Sequence, residues 1–216
     1  MRFPPLHAVA LLSVLTLAAP AVHGGAQIYE PLSASVQAAL SEAISDQAVP
    51  YLAFQSEKEA REWLSVNSAR LARRIPDRVV REELLVTVHY EAKRAGLDPQ
   101  LVLGLIQVES AFRKYAVSGA GARGFMQVMP FWVKVLGNAE HNLFHLRTNL
   151  RYGCVILRHY LDLEKGDLFR ALGRYNGSLG RPQYPNMVLA AWHGHWSYPE
   201  RTAHPAQRQE LTVSSM

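Results

Sequence analysis

Apolar residues in this chain recur at three- and four-residue intervals, and no stretch alternates apolar with polar side chains at the two-residue period of a half-buried strand. That pattern confines the chain to packed helices. Punctuation places them. Ser33 stands before a stripe of Val36, Ala39, Leu40, Ala43 and Ile44, and Ser56 with Glu59 forms a capping box ahead of Trp63, Leu64 and Leu71. Pro76 and Asp77 open a third helix, striped by Val80, Leu84, Val88 and Ala92 and stopped at Gly96. Asp98 then offers a cap and Pro99 the first helical position of a fourth. Further helices are expected over Phe131 to Leu136, along Leu146, Leu150, Gly153, Cys154, Leu157 and Leu161, from Asp167 to Tyr175, and from Pro185 through Val188, Leu189 and Trp192. The apolar connector from Val49 to Phe54 has no assigned form.

The fourth of these helices is unusual. From Leu101 it reads LVLGLIQV, so Glu109 is carried at the end of an element that is apolar on nearly every face. Burial disfavours the charged form of a carboxyl and lifts its pKa toward that of a usable general acid. A glutamate on the last exposed turn of the helix is the competing reading. From Ser110 to Ala139 there is no Asp or Glu, while Gly119, Gly121, Gly124, Gln127 and Asn138 supply backbone freedom and amide groups. A lone acid therefore faces a neutral-to-basic polar loop. Gly119, Gly121 and Gly124 also satisfy the spacing of a dinucleotide-binding turn, but that motif needs a preceding strand and a following helix, and here a helix comes first.

At these residues the chain resembles a known family. Glu109-Ser110, Phe112, Ser118, the run GARGFMQVMP from Gly121 to Pro130, and RYNG from Arg174 to Gly177 look like the soluble lytic murein transglycosylase (SLT) catalytic domain, which is related in fold to goose-type lysozyme. The resemblance covers residues 76–196. It implies an all-α, lysozyme-like catalytic domain acting on peptidoglycan, with the small N-terminal helical extension of residues 27–75 left unexplained. It further implies that Glu109 is the catalytic acid and then base. Ser118, Gln127 and Met129 would line saccharide subsites, and Tyr175 and Asn176 would border the carboxylate and the substrate, with the Tyr175 hydroxyl steadying the acid. Many members carry a second glutamate in an E-T-R-x-Y-V segment. Here the comparable stretch reads GRPQYPNMV, where Tyr184 and Val188 fit but Gly180 stands in the place of the acid.

Residues 1–26 read as a cleavable secretory leader, with Arg2 before the apolar core from Ala8 to Ala19 and small residues at Gly24, Gly25 and Ala26. An uncleaved anchor is the alternative, although Pro20 interrupts the run. No cysteine lies near the expected cleavage point, so a periplasmic protein that is not a lipoprotein is expected. The formal net charge of +5 is mild, suits an anionic cell wall and discriminates little. Cys154, the only cysteine, lies among apolar neighbours and reads as an inert buried thiol. His141 and His145 stand four apart and His193 and His195 two apart, but no third ligand or H-E-x-x-H pattern accompanies either pair, so no metal is expected. No cofactor and no nucleic-acid partner is expected, and the chain reads as a monomer. Residues 197–216 lose apolar periodicity and read as a tail.

Ordinary glycoside hydrolysis needs two carboxylates, and this loop offers one. If the muramic 6-hydroxyl of the substrate attacks instead of water, one suffices. Three readings stay open: a lyase of the cell-wall glycan, a hydrolytic muramidase using Asp162, Glu164 or Asp167 as second acid, and an inactive peptidoglycan-binding module. The N-terminal helices have three open roles: completing the core, covering part of a groove, or binding a partner from the cell wall or a secretion machinery.

Overall fold

A computed structural model of the chain describes residues 26–198. The expected leader as far as Gly25, and the tail beyond Tyr198, lie outside the described residues. Among the described residues there are eight α-helices: α1 (Ala34–Ser45), α2 (Glu57–Leu71), α3 (Arg78–Arg94), α4 (Pro99–Ser110), α5 (Phe131–Leu136), α6 (Leu146–Leu163), α7 (Leu168–Asn176) and α8 (Gln183–Ala191), the last running into a π turn at Trp192–Trp196. The all-α expectation holds. No helix among these residues is long and apolar enough to cross a membrane.

Local chemistry starts the helices where the sequence places the caps. Ser33 and Ser56 accept from the backbone N–H groups of Val36 and Glu59, and Asp77 accepts from Val79 and Val80. Asp98 accepts from Gln100 N at 2.7 Å, with Pro99 at the first helical position. Each such cap is worth about 1 kcal/mol. One boundary differs from expectation: α8 begins at Gln183 after Pro182, not at Pro185. Pro185 falls within the first turn, where the missing N–H has no helical partner to lose. That earlier start puts Tyr184 on the helix rather than ahead of it.

α4 is the buried axis. It packs against α3, α8 and the π turn, while α6 packs against α3 and α7. Gly104 sits where α4 meets the π turn: a Cβ there would lie 2.9 Å from the backbone nitrogen of Trp192, so only glycine allows this approach. Trp196 is buried and donates its indole N–H to Gln107 Oε1 at 2.9 Å, which satisfies both polar groups of an otherwise apolar contact.

The N-terminal extension shares this core. Ile44, Trp63 and Leu71 belong to the same buried cluster as Leu101, Leu105 and Ile106. α1 lies on α5 and α6, and α2 lies on α3. The connector from Val49 to Phe54 is neither helix nor strand, and its Phe54 ring packs against Trp63 and stacks on His89. Full burial of a side chain the size of Leu contributes roughly 1.5–3 kcal/mol, so these residues complete the body rather than decorate it.

His141 and His145 do not form a helical pair. His145 is the N-cap of α6, and His141 Nδ1 lies 2.7 Å from the Tyr152 hydroxyl. Cys154 is fully buried, and burial pushes its thiol well above the usual range, as an inert side chain requires.

Candidate active site

Glu109 is 2 % exposed at the C-terminal end of α4. The helix stops immediately afterward because Ala111 and Phe112 adopt left-handed backbone angles, with φ of 51° and 64°. That reversal sends the chain into the glycine loop. Tyr184, delivered by α8, donates its hydroxyl to Glu109 Oε1 at 2.5 Å. Among the described residues, Oε2 is buried without a partner. Burial pushes the Glu109 carboxyl up to about 8, and the Tyr184 hydrogen bond works against that rise. At neutral pH the side chain is therefore a protonated acid, with one oxygen held and the other free.

The glycine loop is a small β-like fold, not a nucleotide turn. Arg123 and Val128 exchange both backbone hydrogen bonds at 3.0 Å, and Arg123 also forms an isolated bridge with Val117. At Gly124, φ is 76° and a Cβ would lie 2.4 Å from Asn149 Nδ2. Asn149 of α6 is the loop's anchor. Its Oδ1 accepts from Met126 N at 2.8 Å, and its Nδ2 donates to Arg123 O and Leu143 O at 2.8 and 2.9 Å. Sequence reasoning missed this residue. Its one signal was an amide on the otherwise apolar stripe of α6.

The expected site residues take different parts. The Tyr175 hydroxyl donates to Met126 O at 2.7 Å, so the phenol bonded to the acid is Tyr184 and not Tyr175. Tyr175 remains close enough for the charge of Glu109 to bear on it. The Gln127 side chain is buried with φ at 48°, and its Nε2 donates to Gly124 O and Ala116 O, inside the loop. Ser118 sits in the loop's turn, where its hydroxyl accepts from Ala122 N at 3.1 Å. Asn176 is buried, with its Nδ2 unpartnered among the described residues. Met129 is half-buried, and its backbone N–H is bonded to Gln27 Oε1 at 3.0 Å. Gln27 lies outside every motif and was also missed.

Residues 87–185 match the family described as the transglycosylase SLT domain. Over this segment, a little under half of its length, the chain is similar to SLT transglycosylases. A transglycosylase of Enterobacteria phage PRD1 is 36 % identical over 110 residues, which cover 48 % of this chain and 40 % of the phage protein. A membrane-bound lytic murein transglycosylase C of Haemophilus influenzae is 28 % identical over 149 residues, covering 57 % of this chain and 42 % of that protein. The namesake from Actinobacillus pleuropneumoniae serotype 5b is 54 % identical over 48 residues, 22 % of this chain and 13 % of that one. The chain thus spans less than half the length of these relatives. The solved lytic transglycosylase Slt of Pseudomonas aeruginosa, an inactive mutant, aligns over 79 % of this chain and 35 % of its own, at 20 % identity and a TM-score of 0.42. Gln27, Trp63 and Leu71 lie outside the matched SLT segment, whereas Glu109, Asn149 and Tyr184 lie within it.

Proposed function

We propose that the chain is a lytic murein transglycosylase, cleaving the β-1,4 bond between MurNAc and GlcNAc without water and leaving 1,6-anhydro-MurNAc ends. The observation that carries this reading is Glu109, a buried acid with no cation against it among the described residues, pushed up to about 8, with one oxygen on Tyr184 and the other unpartnered there. In the proposed step, protonated Glu109 gives its proton to the glycosidic oxygen as the bond from that oxygen to the MurNAc anomeric carbon breaks. The resulting carboxylate, steadied by the Tyr184 hydroxyl, takes the proton of the MurNAc 6-hydroxyl as that oxygen closes on the anomeric carbon. Glu109 ends the cycle protonated.

The candidates for a second acid support the lyase over the muramidase, because each is engaged elsewhere. Asp162 pairs with Arg158, Glu164 is bonded by Arg170 and Arg174, and Asp167 accepts from Arg170 N as the cap of α7. Saccharide contacts are assigned to Ser118, Met129, Asn176 and the backbone around Gln127, with residues 76–196 as the catalytic unit. Export by the leader to the periplasm, in monomeric and non-lipidated form, completes the proposal.

Mass spectrometry of muropeptides released from purified sacculi tests it. Anhydro-muropeptides are expected from the parent and none from Glu109→Gln. Reducing ends would instead establish the muramidase, and full retention of function by Glu109→Gln would leave only a binding module.

A further inference from the structure

The segment Gln27–Glu30 lies across the proposed saccharide site, and its one buried side chain makes a contact of an unusual kind. The Gln27 carboxamide donates from Nε2 to Gln127 O at 3.2 Å and accepts through Oε1 from Met129 N at 3.0 Å. It thereby pairs one amide with the carbonyl and the N–H of backbone residues two apart, across about one hundred positions of sequence. Gln27 and Glu109 both bear electrostatically on the Tyr175 hydroxyl. A secondary acetamido group presents the same acceptor and the same donor as this carboxamide. Every sugar of the proposed substrate carries one.

The rest of the segment holds on from outside. In the uncleaved chain the carbonyl of Ala26 also packs so closely on Gly177 that a Cβ there would lie 2.0 Å from it. Glu30 pairs with Arg174 at 3.0 Å, and the Tyr29 ring meets Phe131 edge-on at 5.5 Å. Yet Ile28 and Tyr29 are 62 % and 53 % exposed, against 4 % for Gln27. The segment is a surface strap with one side chain inserted, not a core element. Its attachments are neutral hydrogen bonds, a surface ion pair and a single ring contact, each weak alone. Such a strap can be displaced.

We propose that Gln27–Glu30, the first residues after the expected leader, are an autoinhibitory strap, with the Gln27 carboxamide occupying the place of a substrate N-acetyl group on Gln127 O and Met129 N. The inference rests on the glycan-cleaving reading above and adds its regulation. A glycan must expel Gln27 before its own acetamido group can pair with that backbone. A site open only a tenth of the time binds about tenfold more weakly than one always open.

The test is calorimetric titration of the whole chain with the N-acetylglucosamine trimer and with its deacetylated form, in a Glu109→Gln background that prevents turnover. Gln27→Ala is expected to bind the acetylated trimer about tenfold more tightly than its parent, and Glu30→Ala, which changes only an exposed ion pair, by a smaller factor in the same direction. The deacetylated trimer should show no such gain. Hydrogen exchange supplies a readout that a mere brace would not move: bound trimer should raise exchange across residues 27–30. Weaker or unchanged affinity in both variants, or protection of 27–30 by the trimer, overturns the strap and makes Gln27 a support for the loop. Digestion of sacculi by the parent is scored separately. If it fails while the affinity gains appear, the lyase reading falls and the strap stands.

Discussion

Two glutamates are buried almost equally in this fold, Glu91 at 1 % exposure and Glu109 at 2 %, and they are treated in opposite ways. Glu91, on α3, faces three guanidinium groups. Its Oε1 lies 3.2 Å from Arg147 Nε and 3.4 Å from Arg151 Nε, and its Oε2 lies 3.2 Å from Arg94 Nε. Arg151 also donates to Ile44 O and Arg94 to Ala43 O, so this cluster ties α1, α3 and α6 together. Among the described residues, Glu109 meets one phenol and no cation. Burial alone therefore does not set Glu109 apart; burial without compensating charge does.

The largest separation between the two should appear in activity. Glu109→Gln is expected to lower sacculus digestion by roughly 100- to 10,000-fold, the span of a lost general acid. Glu91→Gln should leave the rate per folded molecule near that of the parent. Turbidity assays normalised to folded protein decide this, and comparable losses in both variants would erase the distinction.

Stability should reverse the ranking. Glu91→Ala leaves three arginines facing an empty site and is expected to cost roughly 3–5 kcal/mol by denaturant titration. Glu109→Gln should stabilise the fold, by an amount that depends on pH. The folded carboxyl titrates at about 8 and the unfolded one near the ordinary 4.5, so between these values the native state holds the extra proton. Native stability from this group consequently falls as pH rises across that window and levels off above it. The advantage of Glu109→Gln over the parent should thus be negligible near pH 4 and greatest at pH 8 and beyond. An advantage independent of pH would mean that Glu109 is not held neutral.

A smaller effect should follow from Tyr184→Phe. The hydroxyl bonds the carboxylate and holds its pKa down, so its removal should move the alkaline limb of the activity profile upward by about one unit. Tyr175→Phe should move that limb less, because its hydroxyl is committed to Met126 O. The reverse ordering would restore Tyr175 as the partner of the acid.

What could be read from the residues was mostly local. The Asp98-Pro99 start, the Ser56 cap and the burial of Glu109 are decided within a few neighbours, and the structure reproduces all three. The partners of Glu109 and of its loop were not legible in that way. Tyr184 reaches the acid from 75 residues away because α8 packs on α4, and Asn149 reaches the loop from α6. Short-range pattern sets neither contact. The motif brought Tyr175 and Tyr184 forward together, but the packing of helices decided which hydroxyl meets the carboxyl. Completion of the core, one of three roles open to the N-terminal helices, is the one that the burial of Ile44 and Trp63 bears out.

The joint core of the extension and the SLT segment has a practical corollary. The stretch that is inherited as a recognisable unit and the stretch that can fold as one are different lengths of chain. Cutting at residue 87 would divide α3 inside its apolar stripe and remove the walls supplied by Trp63 and Leu71. Kinship draws its border through the interior of the molecule, so a fragment trimmed to that border would carry the acid without the scaffold that keeps it dry.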